Sequence, residues 1–170
     1  METKRLFIRE MDNNDYLDLR EILQDKDVMY AWEHSFSDKE TKEWLEKQLE
    51  RYKTNGYGLW ALIEKTSYKF IGQCGFTIKN VKNKELLVLA YLLNKKYWKK
   101  GFATEAAKAC INYAHDQLNV KTLYTIIRTN NIQSQKVAER LCMKIEDEFI
   151  VNYFNMEMPH YLYKIEKGKS

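Results

Sequence analysis

The chain has 170 residues, 28 basic against 24 acidic side chains for a formal net charge of +4, 45% hydrophobic and 14% aromatic residues, and a single proline. A chain of that length buries about two-thirds of its unfolded surface as one domain and needs no disulfide staples. The composition excludes disorder, collagen-like repeats and a Pro/Gly linker architecture, and the modest, dispersed basic excess permits an anionic ligand without requiring nucleic acid.

In chain order, residues 5–9 set an apolar centre between polar ends and predict a short first strand. Residues 15–23 place Leu19, Ile22 and Leu23 at helical spacing behind Asn13 and Asn14, the candidate caps. Ser37-Asp38-Lys39-Glu40 has the capping-box pattern; Trp44, Leu45, Gln48, Leu49 and Tyr52 continue one face of a second helix, which Asn55-Gly56 stops. Three strand-like runs, 59–63, 70–78 and 86–93, are joined by short polar connectors and predict an antiparallel meander. Ala103, Ala106, Ala107, Cys110, Ile111 and Ala114 then recur at helical spacing ahead of a β-branched run at 122–127. Strand, crossover helix and strand imply a right-handed parallel unit. Residues 131–141 predict a further helix with Val137, Ala138 and Leu141 inward, and 145–153 with 161–165 a closing hairpin. No repeat or linker divides the chain, so the expectation is a single α+β domain over residues 1–170 with a mixed central sheet.

Cys74, Cys110 and Cys142 form no metal-binding or redox spacing and read as buried small hydrophobes in a reducing cytoplasm. Charges at Glu2, Lys4, Arg5, Arg9 and Glu10 leave no apolar core for a signal peptide, and no run approaches the roughly 20 apolar residues of a membrane span. A cytoplasmic chain without membrane contact is expected.

The informative segment is Tyr97-Trp98-Lys99-Lys100-Gly101-Phe102-Ala103-Thr104-Glu105-Ala106-Ala107, between a predicted strand and a predicted helix. Successive N–H groups at a helix start form an anion-binding concavity, and Gly101 with the small Ala103 gives a phosphate access to the backbone. Lys99 and Lys100 add charge suited to a pyrophosphate. Taken alone, the segment fits an ordinary loop with solvated lysines equally well, since one glycine is weak evidence.

Its wording resembles the acetyl-coenzyme A pyrophosphate loop, Q/R-x-x-G-x-G/A, of the GNAT superfamily of N-acetyltransferases, in the RimJ/RimL-type branch where Trp often replaces the first residue, as Trp98 does here. Residues 2–9 resemble that branch's opening strand and Phe70-Ile71-Gly72-Gln73-Cys74-Gly75-Phe76 its second meander strand. Asn131-Ile132-Gln133-Ser134-Gln135-Lys136-Val137-Ala138-Glu139-Arg140-Leu141 matches its N-x-x-S-x-x-V-A-E-K-L helix. Two departures stand out: Cys142-Met143 replaces the usual Gly-Phe, so that helix must end without glycine, and Val88 stands where a strand glutamate is common.

The resemblance implies a GNAT-like, mostly antiparallel sheet flanked by helices, with a splayed parallel strand pair that holds the coenzyme. It implies acetyl-coenzyme A as co-substrate and no metal, with Tyr91, Leu93, Trp98, Lys99, Lys100, Gly101, Phe102, Ala103, Thr104 and Asn131 as coenzyme contacts. Ser134 matches the serine placed near the sulfur, the candidate donor to the leaving thiolate; the alternative for its hydroxyl is to satisfy backbone donors at the helix start. The expected partner is a primary amine, favoured as a peptide or protein N-terminus, with a polyamine or aminoglycoside as the alternative, and the chain is expected as a monomer or homodimer. With Val88 in the glutamate's place the base is open: Glu85 is a candidate on a longer strand register, or a solvated charge. Trp32, Glu33 and His34 are candidates to border the acceptor pocket, and Tyr153, Phe154, Tyr161 and Tyr163 read as strand core or pocket wall. His115 is placed opposite the alanine stripe of its helix and His160 in a turn after Pro159, so no metal site is expected. The competing class is a non-catalytic coenzyme A or RNA binding module; against RNA, Lys95, Lys96, Lys99 and Lys100 cluster at the proposed phosphate loop and no basic stripe interleaves with aromatics.

Overall fold

Alternation of apolar residues builds one sheet, and the helical stripes cover its two faces. The computed structural model describes residues 1–168. In chain order the elements are β1 (Leu6–Arg9), α1 (Tyr16–Leu23), α2 (Asp38–Asn55), β2 (Leu59–Glu64), β3 (Phe70–Val81), β4 (Lys84–Leu93), α3 (Phe102–Asp116), β5 (Thr122–Arg128), α4 (Ile132–Arg140), β6 (Lys144–Tyr153) and β7 (Met156–Glu166). The seven strands lie in the order β1-β2-β3-β4-β5-β7-β6, and β4 with β5 is the parallel neighbour pair. The predicted α+β class and the β4-α3-β5 crossover are both present.

Two contacts tell which helices cover which face. Cys74 Sγ lies 3.5 Å from Cys110 Sγ, so α3 packs on the side of β3 that carries Gly72, Cys74 and Phe76. Trp44 Nε1 donates to Gln73 Oε1 at 3.1 Å, so α2 packs on the other side. Both thiols are fully buried and burial pushes the Cys74 thiol up, which leaves these cysteines as apolar packing. Gly75 is required by a close approach: a Cβ there would overlap the Gly58 carbonyl oxygen, whose acceptor role for Phe76 N–H at 3.0 Å fixes it in place. Gly75→Ala is therefore expected to destabilise the fold by about 2 kcal/mol or more, roughly 4–8 °C in Tm, which thermal melting would read.

The two tight hairpins use paired left-handed residues, Lys82 and Asn83 between β3 and β4, Phe154 and Asn155 between β6 and β7, the turn hand that suits twisted strands. The second hairpin corrects the sequence reading. Pro159 and His160 lie inside β7, opposite Ile150 and Phe149, not in a turn. Proline is tolerated because β5 ends opposite His160, so the missing N–H faces a place where no ladder partner is required; the Pro159 carbonyl still accepts from Thr129 N–H at 3.0 Å.

Three further details differ. Asp12, not Asn13 or Asn14, starts the first helical region: it caps a short 3-10 turn and exchanges capping-box bonds with Asp15, which Arg9 holds from two nitrogens at 2.8 Å. His115 is buried and bonds the Val120 carbonyl through Nδ1 at 2.7 Å, so it closes the packed side of α3 and does not oppose it. Cys142 is exposed, with φ 61°, and itself takes the left-handed position that ends α4 without glycine. No helix among the described residues is long and apolar enough to cross a membrane.

Candidate active site

The hydrogen-bond phase of β4 opens a gap in the sheet. Asn94 N–H donates to the Ile71 carbonyl at 2.9 Å, so the even-numbered residues of β4 exchange bonds with β3. Leu89, Tyr91 and Leu93 therefore direct their N–H and C=O groups toward β5. That strand meets β4 at one pair, Val88 with Tyr124, and beyond it the two strands part. Trp98 Nε1 donates to the Leu93 carbonyl at 3.0 Å, which leaves both backbone groups of Tyr91 and the N–H of Leu93 facing the gap.

Beside the gap lies the start of α3. Gly101, at φ 80° and ψ 2°, is its N-cap and supplies no side chain; the first helical bond runs from Glu105 N–H to the Gly101 carbonyl at 3.0 Å. The N–H groups of Phe102, Ala103 and Thr104 are thus left without a side-chain acceptor, at the positive end of a 15-residue helix. Arg5 holds this loop: its Nη1 donates to the Lys100 carbonyl at 2.8 Å, its Nε meets Glu105 Oε2 at 2.6 Å, and its guanidinium stacks 4.2 Å over the Phe102 ring. Glu105 also accepts from Thr3 Oγ1 at 2.7 Å and from Arg5 N–H at 2.8 Å. Burial pushes the Glu105 carboxyl up, but these bonds and the charge of Arg5 outweigh it and hold the carboxyl below the ordinary glutamate value.

The charge around the loop divides differently from the sequence reading. Lys95 pairs with Asp27 at 3.0 Å and Asp25 at 3.2 Å, and Lys96 pairs with Glu21 at 2.8 Å, so both are neutralised by carboxylates in and after α1. Lys99 and Lys100 make no ion pair among the described residues; Lys100 Nζ sits 5.3 Å over the Tyr97 ring. A cleft of about 220 Å³ joins the gap to the α3 start. Of the coenzyme contacts nominated from sequence, Lys100 alone is off its wall, and Ser134 is on it.

Helix α4 closes the cleft from one side. Asn131 is its N-cap, with Oδ1 accepting from Ser134 N–H at 3.2 Å and from the Tyr30 hydroxyl at 2.8 Å. The Tyr91 hydroxyl donates to the Ser134 carbonyl at 2.9 Å, and burial pushes the Tyr91 phenol far up, so it stays protonated. The first turn of α4 is thus pinned from two sides. Ser134 Oγ has no hydrogen-bond partner among the described residues, which removes the capping role that its position in the sequence also allowed.

The segment around residues 28–33 forms the opposite wall, with Val28, Tyr30 and Trp32 on the cleft. Arg128, its side chain 12% exposed, ties that segment down through the Ala31 carbonyl at 3.0 Å and Glu33 Oε1 at 3.2 Å. Glu33 is therefore committed to an arginine, and His34 to Glu40 at 2.8 Å and to the Phe154 ring at 4.2 Å. Glu85 is exposed near the start of β4, opposite Asn80, and Val88 is buried. Among the described residues no carboxylate and no imidazole lines the cleft, whose charged wall groups are Lys99 and Arg140. No group of three or more histidine, cysteine or acidic residues is placed to hold a metal ion among the described residues.

Sequence reasoning missed Arg5, Glu105, Tyr30 and Arg128 as the residues that hold the site. Glu105 belongs to the loop segment in sequence, but nothing in local spacing connects it to Arg5, 100 residues away.

A parted pair of parallel strands and an uncapped helix start beside it thus share one cleft, whose charged wall groups among the described residues are both basic. The acetyltransferase (GNAT) domain model matches residues 5–144, and the chain belongs to the GNAT family of acetyltransferases. It is 30% identical over 142 residues to the uncharacterized protein YkkB of Bacillus subtilis, covering 83% of each chain. Among solved structures it resembles an acetyltransferase (GNAT family) from Bacillus anthracis at TM-score 0.82 and 23% identity, over 98% of this chain and 97% of that one. The fold is also that of RimL, a ribosomal alpha-N-protein acetyltransferase in complex with coenzyme A (TM-score 0.79, 14% identity, 96% and 95% covered). It is shared with a variant of the spermidine N-acetyltransferase of Vibrio cholerae (TM-score 0.74, 14% identity, 98% and 96% covered). Enzymes of this family use acetyl-coenzyme A.

Proposed function

We propose that residues 1–170 form one acetyltransferase domain that moves an acetyl group from acetyl-coenzyme A directly to a primary amine, with a peptide or protein N-terminal α-amine as the favoured acceptor. Acetyl-coenzyme A supplies the acetyl group as a thioester. The cleft fits it: the free N–H groups of Phe102, Ala103 and Thr104 with Lys99 suit a pyrophosphate, and the gap-facing backbone of Tyr91 and Leu93 suits an amide-bearing arm. Ser134 Oγ, uncommitted and on the cleft wall, donates to the departing sulfur. Gly101 and Ala103 keep the backbone open to the phosphates.

The absence of any carboxylate or imidazole on the described cleft wall carries the choice of acceptor. A lysine-like amine of pKa about 10.4 costs roughly 4–5 kcal/mol to deprotonate at pH 7, an α-amino group near 8 only about 1. Without a resident base the second is far easier to acetylate through water. RimL, which shares the fold, acts on a protein α-amine by its name. The second reading, a small polyamine, rests on the half-exposed Tyr30 and Trp32 rings at the cleft, which suit a cation, and on the fold shared with a spermidine enzyme. Free thiol release from acetyl-coenzyme A, followed over a panel of peptides with different N-termini, polyamines and aminoglycosides, tests the choice. Turnover confined to peptides with a free α-amine is expected; turnover confined to polyamines would replace that reading, and none with any acceptor despite tight coenzyme binding would favour a binding module.

A further inference from the structure

Gln73 is 1% exposed on the α2 side of β3, yet half of its amide is uncommitted. An indole N–H can only donate, so the 3.1 Å bond from Trp44 Nε1 fixes which way the carboxamide is turned: Oε1 meets the indole and the two N–H groups of Nε2 point away from it. Those N–H groups have no hydrogen-bond partner among the described residues. The fully enclosed side-chain polar atoms without a partner are, among the described residues, Thr77 Oγ1 and the Tyr163 hydroxyl, so Nε2 is not sealed in and reaches open space. Desolvating an amide donor and leaving it unpaired opposes folding, and a ligand that supplies the missing acceptor would remove that cost.

The register of the sheet puts this donor beside the reacting end of the cleft. Tyr91 pairs with Cys74 and shares its α3 side, and the Tyr91 hydroxyl bonds α4 at Ser134, so the α3 start and Ser134 lie on one face of the sheet. With the coenzyme's phosphates and sulfur on that face, an amine reaches the thioester through the gap from the other face, the α2 side. Leu92 lines the cleft, is directly opposite Gln73 in the β3–β4 ladder and shares the α2 side with it, about 5 Å away from Cβ to Cβ. The Phe36 ring packs edge-on against Trp44 at 5.7 Å, which steadies the indole that holds the amide. An amide nitrogen suits a carbonyl oxygen and disfavours an ammonium. A peptide N-terminus carries a carbonyl on the carbon that bears its amine, whereas a polyamine in water offers donors alone. We propose that Gln73 Nε2 donates to the first carbonyl of the acceptor and so makes the site select peptide α-amines over amines that lack that carbonyl. This rests on the reading of the protein as an α-amine acetyltransferase and adds the residue that sets the choice.

Thiol release by the full chain, with a tetrapeptide that has a free α-amine and with its analogue in which the first carbonyl is reduced to a methylene, tests it. After correction for the fraction of free amine, the parent protein is expected to favour the peptide in kcat/KM by about 3- to 10-fold, the worth of one hydrogen bond, mainly through KM. Gln73→Met should remove that preference by slowing the peptide and leaving the analogue unchanged. Gln73→Glu keeps an acceptor for Trp44 but replaces the donor with a carboxylate, which opposes a carbonyl and attracts the cationic reduced link, so the order of the two substrates should invert. Thermal melts and coenzyme A calorimetry on both variants check that the fold and the coenzyme site persist; a merely structural role for Gln73 would slow both substrates alike. Equal kcat/KM for peptide and analogue in the parent protein, which needs no variant to fold, or equal losses on both substrates in folded Gln73→Met, would overturn the assignment and leave the α-amine reading standing. Failure of the parent protein to acetylate any peptide would overturn both.

Discussion

Gly101→Glu is expected to weaken acetyl-coenzyme A binding by at least about 100-fold while the fold persists. A carboxylate near a phosphate opposes it by roughly 4 kcal/mol at 4 Å in surface-like surroundings, about a thousandfold. It would also occupy the helix-start N–H groups as an intramolecular cap. Two structural costs accompany the charge. Gly101 has φ 80°, where a side chain carries about 1–2 kcal/mol of strain, and a Cβ there stands 3.3 Å from Arg5 Nη2, so a new acid would compete with Glu105 for that arginine. Gly101→Ala carries the backbone strain without the charge and should lose far less affinity. Calorimetry on both variants, with thermal melts to confirm folding, separates the contributions; unchanged affinity in Gly101→Glu would remove the loop from the site.

Ser134→Ala is expected to lower kcat by about 10- to 10³-fold, the range for losing one positioned donor, with coenzyme affinity nearly unchanged. The structure sharpens the contrast with a purely structural role. Asn131 Oδ1 caps α4 and Ser134 Oγ bonds to nothing among the described residues, so Ser134→Ala should leave Tm in place, whereas Asn131→Ala removes a cap worth about 1 kcal/mol. Single-turnover rate and thermal midpoint on Ser134→Ala decide the matter. A full rate would take Ser134 out of the chemistry, and a lowered midpoint would mean its hydroxyl serves packing or helix stability.

What the chain spells locally was legible in advance. The Ser37 and Glu40 capping box, the Gly56 stop, the meander and the alanine stripe of α3 are set by contacts within a few residues, and local propensity agrees with the fold there. The loop at Gly101 and the helix at Asn131 were legible from a run of matched motifs in the right order. Charge partners were not. Lys95 and Lys96 sit beside the loop in sequence, but their carboxylates, Asp25, Asp27 and Glu21, arrive about 70 residues upstream. The same holds for Arg5 with Glu105 and Arg128 with Glu33, pairs that only the sheet order brings together. Pro159 read as a turn because proline usually ends strands, and its acceptance depends on where β5 stops, a fact of the neighbouring strand.

The most direct test is backbone amide hydrogen exchange, resolved by residue, with and without saturating coenzyme A. If the coenzyme lies along the parted strands with its pyrophosphate on the α3 start, exchange should slow at Tyr91, Phe102, Ala103 and Thr104, whose N–H groups lack partners among the described residues, and stay unchanged along the outer strand β6. Binding with no added protection at those four amides, or protection centred on the outer side of α3 around Asn112 and Asp116, where a separate cavity of about 350 Å³ opens, would contradict the account.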